Sequence, residues 1–306
     1  MTTTTYLWIK PLNPRTNKRN RVEPVTPDAL NIVARLGPPL DWLEHGFMVR
    51  ALAAMMLLAP TCAAMGVHVV NFRMSFFSDA ISHSAFTGIA LGLVLSIDPR
   101  IAMILFGLLV GLGITHIRRG SDLSSDAVIG VFFSSSVALG IAIISAKKGL
   151  TRSLESFLYG DILAVTNWEF VLAGVLFAVV MIFMYLSYNR LIMISISPVI
   201  SKTRGINVKV YEYAFALLLA LVITASIRAG GILLVTALLI VPAVAGRNFA
   251  RNAAGMFWYS IMVALLSSFS GIVGSYYLNT STGATVILFA AGFFALSYLR
   301  KALVKE

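Results

Sequence analysis

Long apolar blocks decide what this chain can fold into. Segments at about 47–70, 76–96, 100–117, 126–146, 169–188, 211–229, 231–245, 254–277 and 283–299 match or approach the roughly 20 residues that cross a bilayer as a helix. A water-soluble core would instead show short amphipathic stripes. Composition agrees: 58% of residues are hydrophobic and 12% charged, against about 25% charged in an average soluble domain. The reading is an all-α polytopic membrane protein with eight or nine transmembrane helices. The seventh segment is short, follows Gly230 and Gly231 and runs into Pro242, so a broken or re-entrant helix is expected between Gly230 and Pro242. A cytosolic enzyme, a disulfide-rich secreted domain and a disordered tail are excluded. Cys62 is the single cysteine, so no intrachain disulfide can form.

Residues 1–45 are polar, with Pro11, Pro14, Pro24, Pro27, Pro38 and Pro39. They read as an N-terminal tail ahead of a transmembrane domain at 46–306, and no cleaved secretory signal is expected. The net charge of +11 does not point to nucleic acid, because its bases lie in the breaks between apolar blocks and at the chain ends. That pattern sets orientation in a bilayer. Arg118 and Arg119, then Arg190, Lys202, Arg204 and Lys209, then Arg247 and Arg251, and finally Arg300, Lys301 and Lys305 fall on one side if nine crossings are real. Counting back puts the tail on the opposite side, although it carries Lys10, Arg15, Lys18, Arg19, Arg21 and Arg35. Either the tail is an exception to the charge rule or one segment does not cross.

An aspartate and a histidine within one span are costly unless they face a cavity or a partner. Asp79 and His83 are four residues apart, which puts them on one face of a helix. A carboxylate oxygen beside an imidazole nitrogen is half a coordination shell for zinc, manganese or ferrous iron. Two ligands alone bind weakly, which suits a transit site. The alternative is that Asp79 caps its helix and His83 hydrogen-bonds a neighbouring helix.

Other residues point to partners or to none. Pro242 should end or kink its helix, and Arg247 and Arg251 then follow in a short basic break, the best candidate for contact with a partner. Arg228 reads as a snorkelling interface residue, His68 as a possible group behind the ligands, and His45 and His116 as neutral. Asp161 is either a loop aspartate in a turn after Gly160 or a functional residue. A phosphate-binding loop needs a Gly-Lys step, and no Gly-Lys dipeptide occurs. No His-Glu-x-x-His pair occurs either, so an enzyme reading is poor, and energy must come from another chain or from an ion gradient.

Three stretches together resemble the permease subunits of bacterial metal-ion ABC importers, most of all the zinc-uptake branch. They are Arg73-Met-Ser-Phe-Phe-Ser-Asp-Ala-Ile-Ser-His83, Leu158-Tyr-Gly-Asp-Ile-Leu-Ala-Val-Thr166 and Gly231-Ile-Leu-Leu-Val-Thr-Ala-Leu-Leu-Ile-Val-Pro-Ala243. The resemblance runs from about residue 47 to the end. Ser78 stands where the family usually has glycine, and Val244-Ala-Gly-Arg247 departs from the usual pattern. The resemblance implies a permease in a bacterial cytoplasmic (inner) membrane, paired with a second permease subunit as a homo- or heterodimer. It also implies ABC ATPase subunits docked at Pro242, Arg247 and Arg251, and an extracytoplasmic metal-binding protein that delivers the ion. It further implies a family-wide role for Asp161 and a metal path through Asp79 and His83. The metal is cargo, and no cofactor is expected to stay bound. Zinc is expected first and manganese or iron next, with a gradient-driven secondary transporter as the rival class. A ligating imidazole must be neutral, so transport should weaken as pH falls toward about 6.

Overall fold

The computed structural model describes residues 46–146 and 162–304. The tail at 1–45 and Asp161 lie outside the described residues. The helices are α1 (Gly46–Asn71), α2 (Ser75–Leu95), α3 (Pro99–Gly120), α4 (Ser125–Ala146), α5 (Asn167–Ile196), α6 (Pro198–Thr203), α7 (Val208–Phe249), α8 (Ala253–Leu278) and α9 (Thr282–Val304). A single 3-10 turn, Ile162–Ala164, leads into α5. All but α6 are long and apolar enough to cross a membrane, and no strand occurs among the described residues.

Short polar signals set the helix ends. Asp98 accepts a hydrogen bond from the Arg100 amide at 2.8 Å, with Pro99 at the first helical position of α3. Thr166 and Glu169 form a reciprocal capping box on α5. Asn207 and Asn252 cap α7 and α8. Ser96 and Asn279 end α2 and α8 in the left-handed region, which relieves the last carbonyls.

The break expected between Gly230 and Pro242 lies at Gly231, with φ 75° and ψ 165°, a conformation open to glycine and strained for other residues. Of the two expected effects of Pro242, ending or kinking its helix, the first does not occur. The α-helix continues through it to Phe249, so Arg247 sits in the last helical turn and only Arg251 lies in the connection to α8. A proline costs one backbone hydrogen bond there, and burial of Pro242 in the bundle holds the helix together.

The two halves of α7 run in opposite directions. Phe215 of the first half packs against His68 and Phe72 near the end of α1. Ala243 of the second half packs with Val67 and Val70 at that same end. At the far end Arg228 pairs with Glu169, which opens α5, and Gly283 lies against Gly230 and Leu234. Forty-two residues rise about 63 Å, twice the hydrocarbon thickness, so the element folds back and supplies two crossings. The sixth and seventh apolar segments are therefore one helical element bent at a glycine, and the described chain crosses nine times.

This path puts Arg73, Arg118, Arg119, Arg190, Lys202, Arg204, Lys209, Arg247, Arg251, Arg300 and Lys301 at one end of the bundle, hereafter the basic face. Among the described residues the opposite end carries only Arg50, Arg100 and Arg228. The chain enters α1 on that opposite face.

α1 and α7 form the centre. Gly66 of α1 sits so close to α7 that a Cβ there would lie 1.8 Å from the Leu239 carbonyl oxygen. Only glycine permits that contact. α2 packs against α3, α4 and the first half of α7, while α3, α4, α5 and α9 present broad apolar faces outward. In water such faces would drive aggregation, and in a bilayer they meet lipid or another membrane subunit.

Candidate metal-transit site

The site is built on the first three turns of α2. Phe77, Ser78, Ala80, Ile81, Ser82, Ser84 and Ala85 are buried. The residues between them, Phe76, Asp79, His83 and Phe86, are exposed or half-buried. Their spacings of three, four and three place them on one stripe of the helix. α2 thus turns its apolar and small polar residues into the bundle and leaves one stripe only half-buried, partly covered by α4, with the carboxylate and the imidazole at its centre.

The structure brings Asp79 and His83 together, and the two side chains interact electrostatically. Neither takes the alternative role considered for it. Met74 occupies the cap position of α2, which has no side-chain cap hydrogen bond, and Asp79 lies more than one turn inside. His83 rests edge-on against Phe133 of α4, with ring centroids 5.1 Å apart at 86°. Among the described residues neither side chain makes a hydrogen bond, and no third His, Cys, Asp or Glu joins them as a ligand. A carboxylate and an imidazole without hydrogen bonds to the described residues can both offer lone pairs to an incoming cation. A four-coordinate ion would need ligands beyond this pair.

The other histidines stand apart. His68 is fully buried on α1, its ring between Tyr188 and Phe215 at 5.2 Å and 6.0 Å, and neither nitrogen has a hydrogen-bond partner. Its contacts are aromatic, and no contact links it to Asp79 or His83. His116 shares a 3.1 Å hydrogen bond between its Nδ1 and the Tyr213 hydroxyl on the basic face. Arg228 is more than a snorkelling cation: its Nε lies 2.5 Å from Glu169, which ties the bend of α7 to the start of α5. Arg247 and Arg251 are both exposed on the basic face, and among the described residues neither has an ion-pair partner.

Two features of the basic face escaped the sequence reading. α6 is a six-residue helix, capped by Ser197 and opened by Pro198, that lies between two long helices. It and the residue before its cap expose Ile196 (78%), Val199 (70%) and Ile200 (53%) beside Lys202 and Arg204. The Ser-Pro pair was the available signal for a helix start. The second feature is an ion-pair cluster in which Arg118 and Arg119 at the end of α3 hold Glu212 at the start of α7. Its members are far apart in sequence and nothing local announces it.

Comparison with known proteins places this architecture. The model of the ABC 3 transport family matches residues 44–301. The high-affinity zinc uptake system membrane protein ZnuB of Haemophilus influenzae is 30% identical over 251 residues, covering 82% of this chain and 96% of that protein. The manganese import system permease protein ScaB of Streptococcus parasanguinis is 34% identical over 263 residues, covering 85% and 92%. Among solved structures, PsaBC from Streptococcus pneumoniae in complex with Fab matches with a TM-score of 0.72 and 30% identity, covering 88% of this chain and 95% of that one. With nearly its whole bundle matched in sequence and in three dimensions, the chain belongs to the ABC 3 transport family of membrane permeases.

Proposed function

We propose that this chain is the membrane-spanning subunit of an ATP-driven importer for a divalent first-row transition metal, with zinc as the first candidate. Asp79 and His83 are the ligands it contributes to a transient site. The observation that carries the reading is the half-buried stripe of α2, where, among the described residues, no hydrogen bond occupies either ligand side chain. Relatives named for zinc and for manganese transport support the class of cargo.

Among the described residues the α2 stripe offers one carboxylate and one imidazole, whereas a borderline divalent ion takes four or more ligands. A second permease subunit facing the first across the α2 stripe would supply a matching pair and enclose the ion between two copies. Parting of the copies would halve the ligand set and release the ion. The imidazole must be neutral to ligate. Phe76 and Phe86 flank the pair along the stripe and limit access by water, which raises the cost of an uncoordinated ion there.

An extracytoplasmic metal-binding protein would deliver the ion to the face opposite the bases. The basic face is cytoplasmic by the distribution of arginine and lysine, in the inner membrane of a bacterium. ATP hydrolysis belongs to separate ATPase subunits. α6 with Ile196, Val199 and Ile200 offers them an exposed apolar contact, and Arg247 and Arg251 lie on the same face. Manganese is the second reading, favoured by the 34% identity to a manganese import permease; carboxylate plus imidazole serves either ion.

The test is uptake of radioactive zinc into proteoliposomes holding this chain and its ATPase, with unlabelled zinc, manganese or iron as competitors. Uptake should require ATP and be suppressed most by zinc. Stronger suppression by manganese would move the assignment to that metal. Uptake driven by a proton gradient without the ATPase would overturn the importer reading.

A further inference from the structure

The basic face contains a polar cleft of about 470 Å³, lined by residues 70–73, Arg118, residues 194–196, Pro198, Glu212 and Arg247. A water molecule occupies about 30 Å³ of liquid, so the cleft has room for an inserted segment of another molecule. Its walls come from the α1–α2 link, the end of α3, the α5–α6 junction and both halves of α7.

The charges there do not balance. Glu212 is the single carboxylate of the cleft, its side chain only 11% exposed, and Arg118 and Arg119 of α3 already hold it. Arg73 and Arg247 also line the cleft, and among the described residues neither has an ion-pair partner. Four arginines thus meet one carboxylate that two of them already occupy. Arginines at helix C-termini commonly offset the helix dipole, which accounts for Arg118, Arg119 and Arg247 in last turns. Arg73 sits in the link between the end of α1, whose dipole favours a cation, and the start of α2, whose dipole disfavours one, at φ 56°, so the dipoles give it no clear partner.

We propose that this cleft is a socket for an acidic side chain of the cytoplasmic ATPase subunit, gripped between Arg73 and Arg247, through which the ATPase moves α2. The proposal rests on the reading of the chain as an ATP-driven permease and adds to it the place and the chemistry of one contact. Charge complementarity selects a carboxylate. Position selects a soluble partner, because the floor of the cleft is the end of α1, the most enclosed helix of the bundle, and lipid lies at the perimeter. The consequence for transport lies in the chain path. Arg73 is two residues before α2, and Asp79 stands four residues into that helix, about 6 Å along it. A pull on the α1–α2 link therefore displaces the ligand pair directly, whereas the apolar contact at α6 would act on α5 and α7.

Association of the permease in nanodiscs with its purified ATPase, measured over a series of salt concentrations, tests the socket. The wild type should bind, and less tightly as salt rises. Arg73→Gln/Arg247→Gln should bind about tenfold more weakly with a flatter salt dependence, and Arg73→Lys/Arg247→Lys should recover most of the salt dependence. Wild-type affinity and salt dependence in the Gln variant would overturn the socket and leave the importer reading intact. No binding by the wild type would overturn the importer reading itself. A loss of affinity seen only in nanodiscs with anionic lipid, and absent in zwitterionic ones, would assign the arginines to lipid headgroups and overturn the proposal. A photo-crosslinker at Asn71, with every arginine retained, covers the case in which the Gln variant does not fold. It should label the ATPase, and labelling of lipid alone would again overturn the socket.

Discussion

α1 and α2 follow each other in the chain, both consist of apolar and small residues, and each carries a histidine near the basic face. α1 is enclosed over 83% of its most apolar window and α2 over 61%. That difference decides what each histidine can do. His68 of α1 is sealed between two aromatic rings with both nitrogens unpartnered, an arrangement that costs stability and gives no route for an ion. His83 of α2 lies on the half-buried stripe, with a carboxylate one turn before it. A polar side chain in a span is a candidate for function. What separates the two is access from outside the chain and a second ligand on the same face.

The comparison can be broken at several points. The largest effect is expected at Gly66, where α1 meets the second half of α7. Gly66→Val places atoms inside contact distance of the Leu239 backbone, which cannot yield as a flexible side chain can. Destabilisation of about 3 kcal/mol is expected, read as loss of folded protein in thermal unfolding in detergent. An unchanged melting temperature would show that α1 and α7 are less tightly joined than described.

Next comes Asp79→Asn, which keeps the shape and removes the charge. Loss of a group that merely orients a ligand costs about 10–100-fold in metal affinity, and loss of a ligand's charge should cost no less. ATP-driven zinc uptake should fall by roughly tenfold or more, while thermal stability and ATPase association stay at wild-type values. A parallel loss of assembly would place Asp79 with the structural residues of α1.

The smallest effect is expected for His68→Leu, which fills a similar volume without polar atoms. Relief of an unpartnered buried imidazole should leave the melting temperature equal or raise it by the equivalent of about 1 kcal/mol, with uptake unchanged. A loss of uptake comparable to that from Asp79→Asn would abolish the distinction between the two histidines.

The parts of this account legible in the sequence are those governed by local pattern. Block length gave the crossings, the basic breaks after the tail gave a consistent face, and the four-residue spacing of Asp79 and His83 put them on one side of a helix. The remainder depends on contacts between distant segments. Gly230, Gly231 and Pro242 all marked a possible break, but burial holds the helix straight at Pro242 and lets Gly231 bend it. Arg228 resembled an ordinary interface cation because Glu169, its partner, lies on another helix. The cluster of Arg118, Arg119 and Glu212 and the apolar exposure of α6 likewise follow from how α3, α5 and α7 end beside one another. None of these is a property of a single window of sequence.

The most direct measurement is metal uptake by the reconstituted complex carrying His83→Ala, with ATPase association verified in the same vesicles. If His83 ligates the ion, the complex assembles and hydrolyses ATP but uptake is abolished or nearly so. Wild-type uptake by that assembled variant would contradict the assignment of the α2 stripe as the ion path.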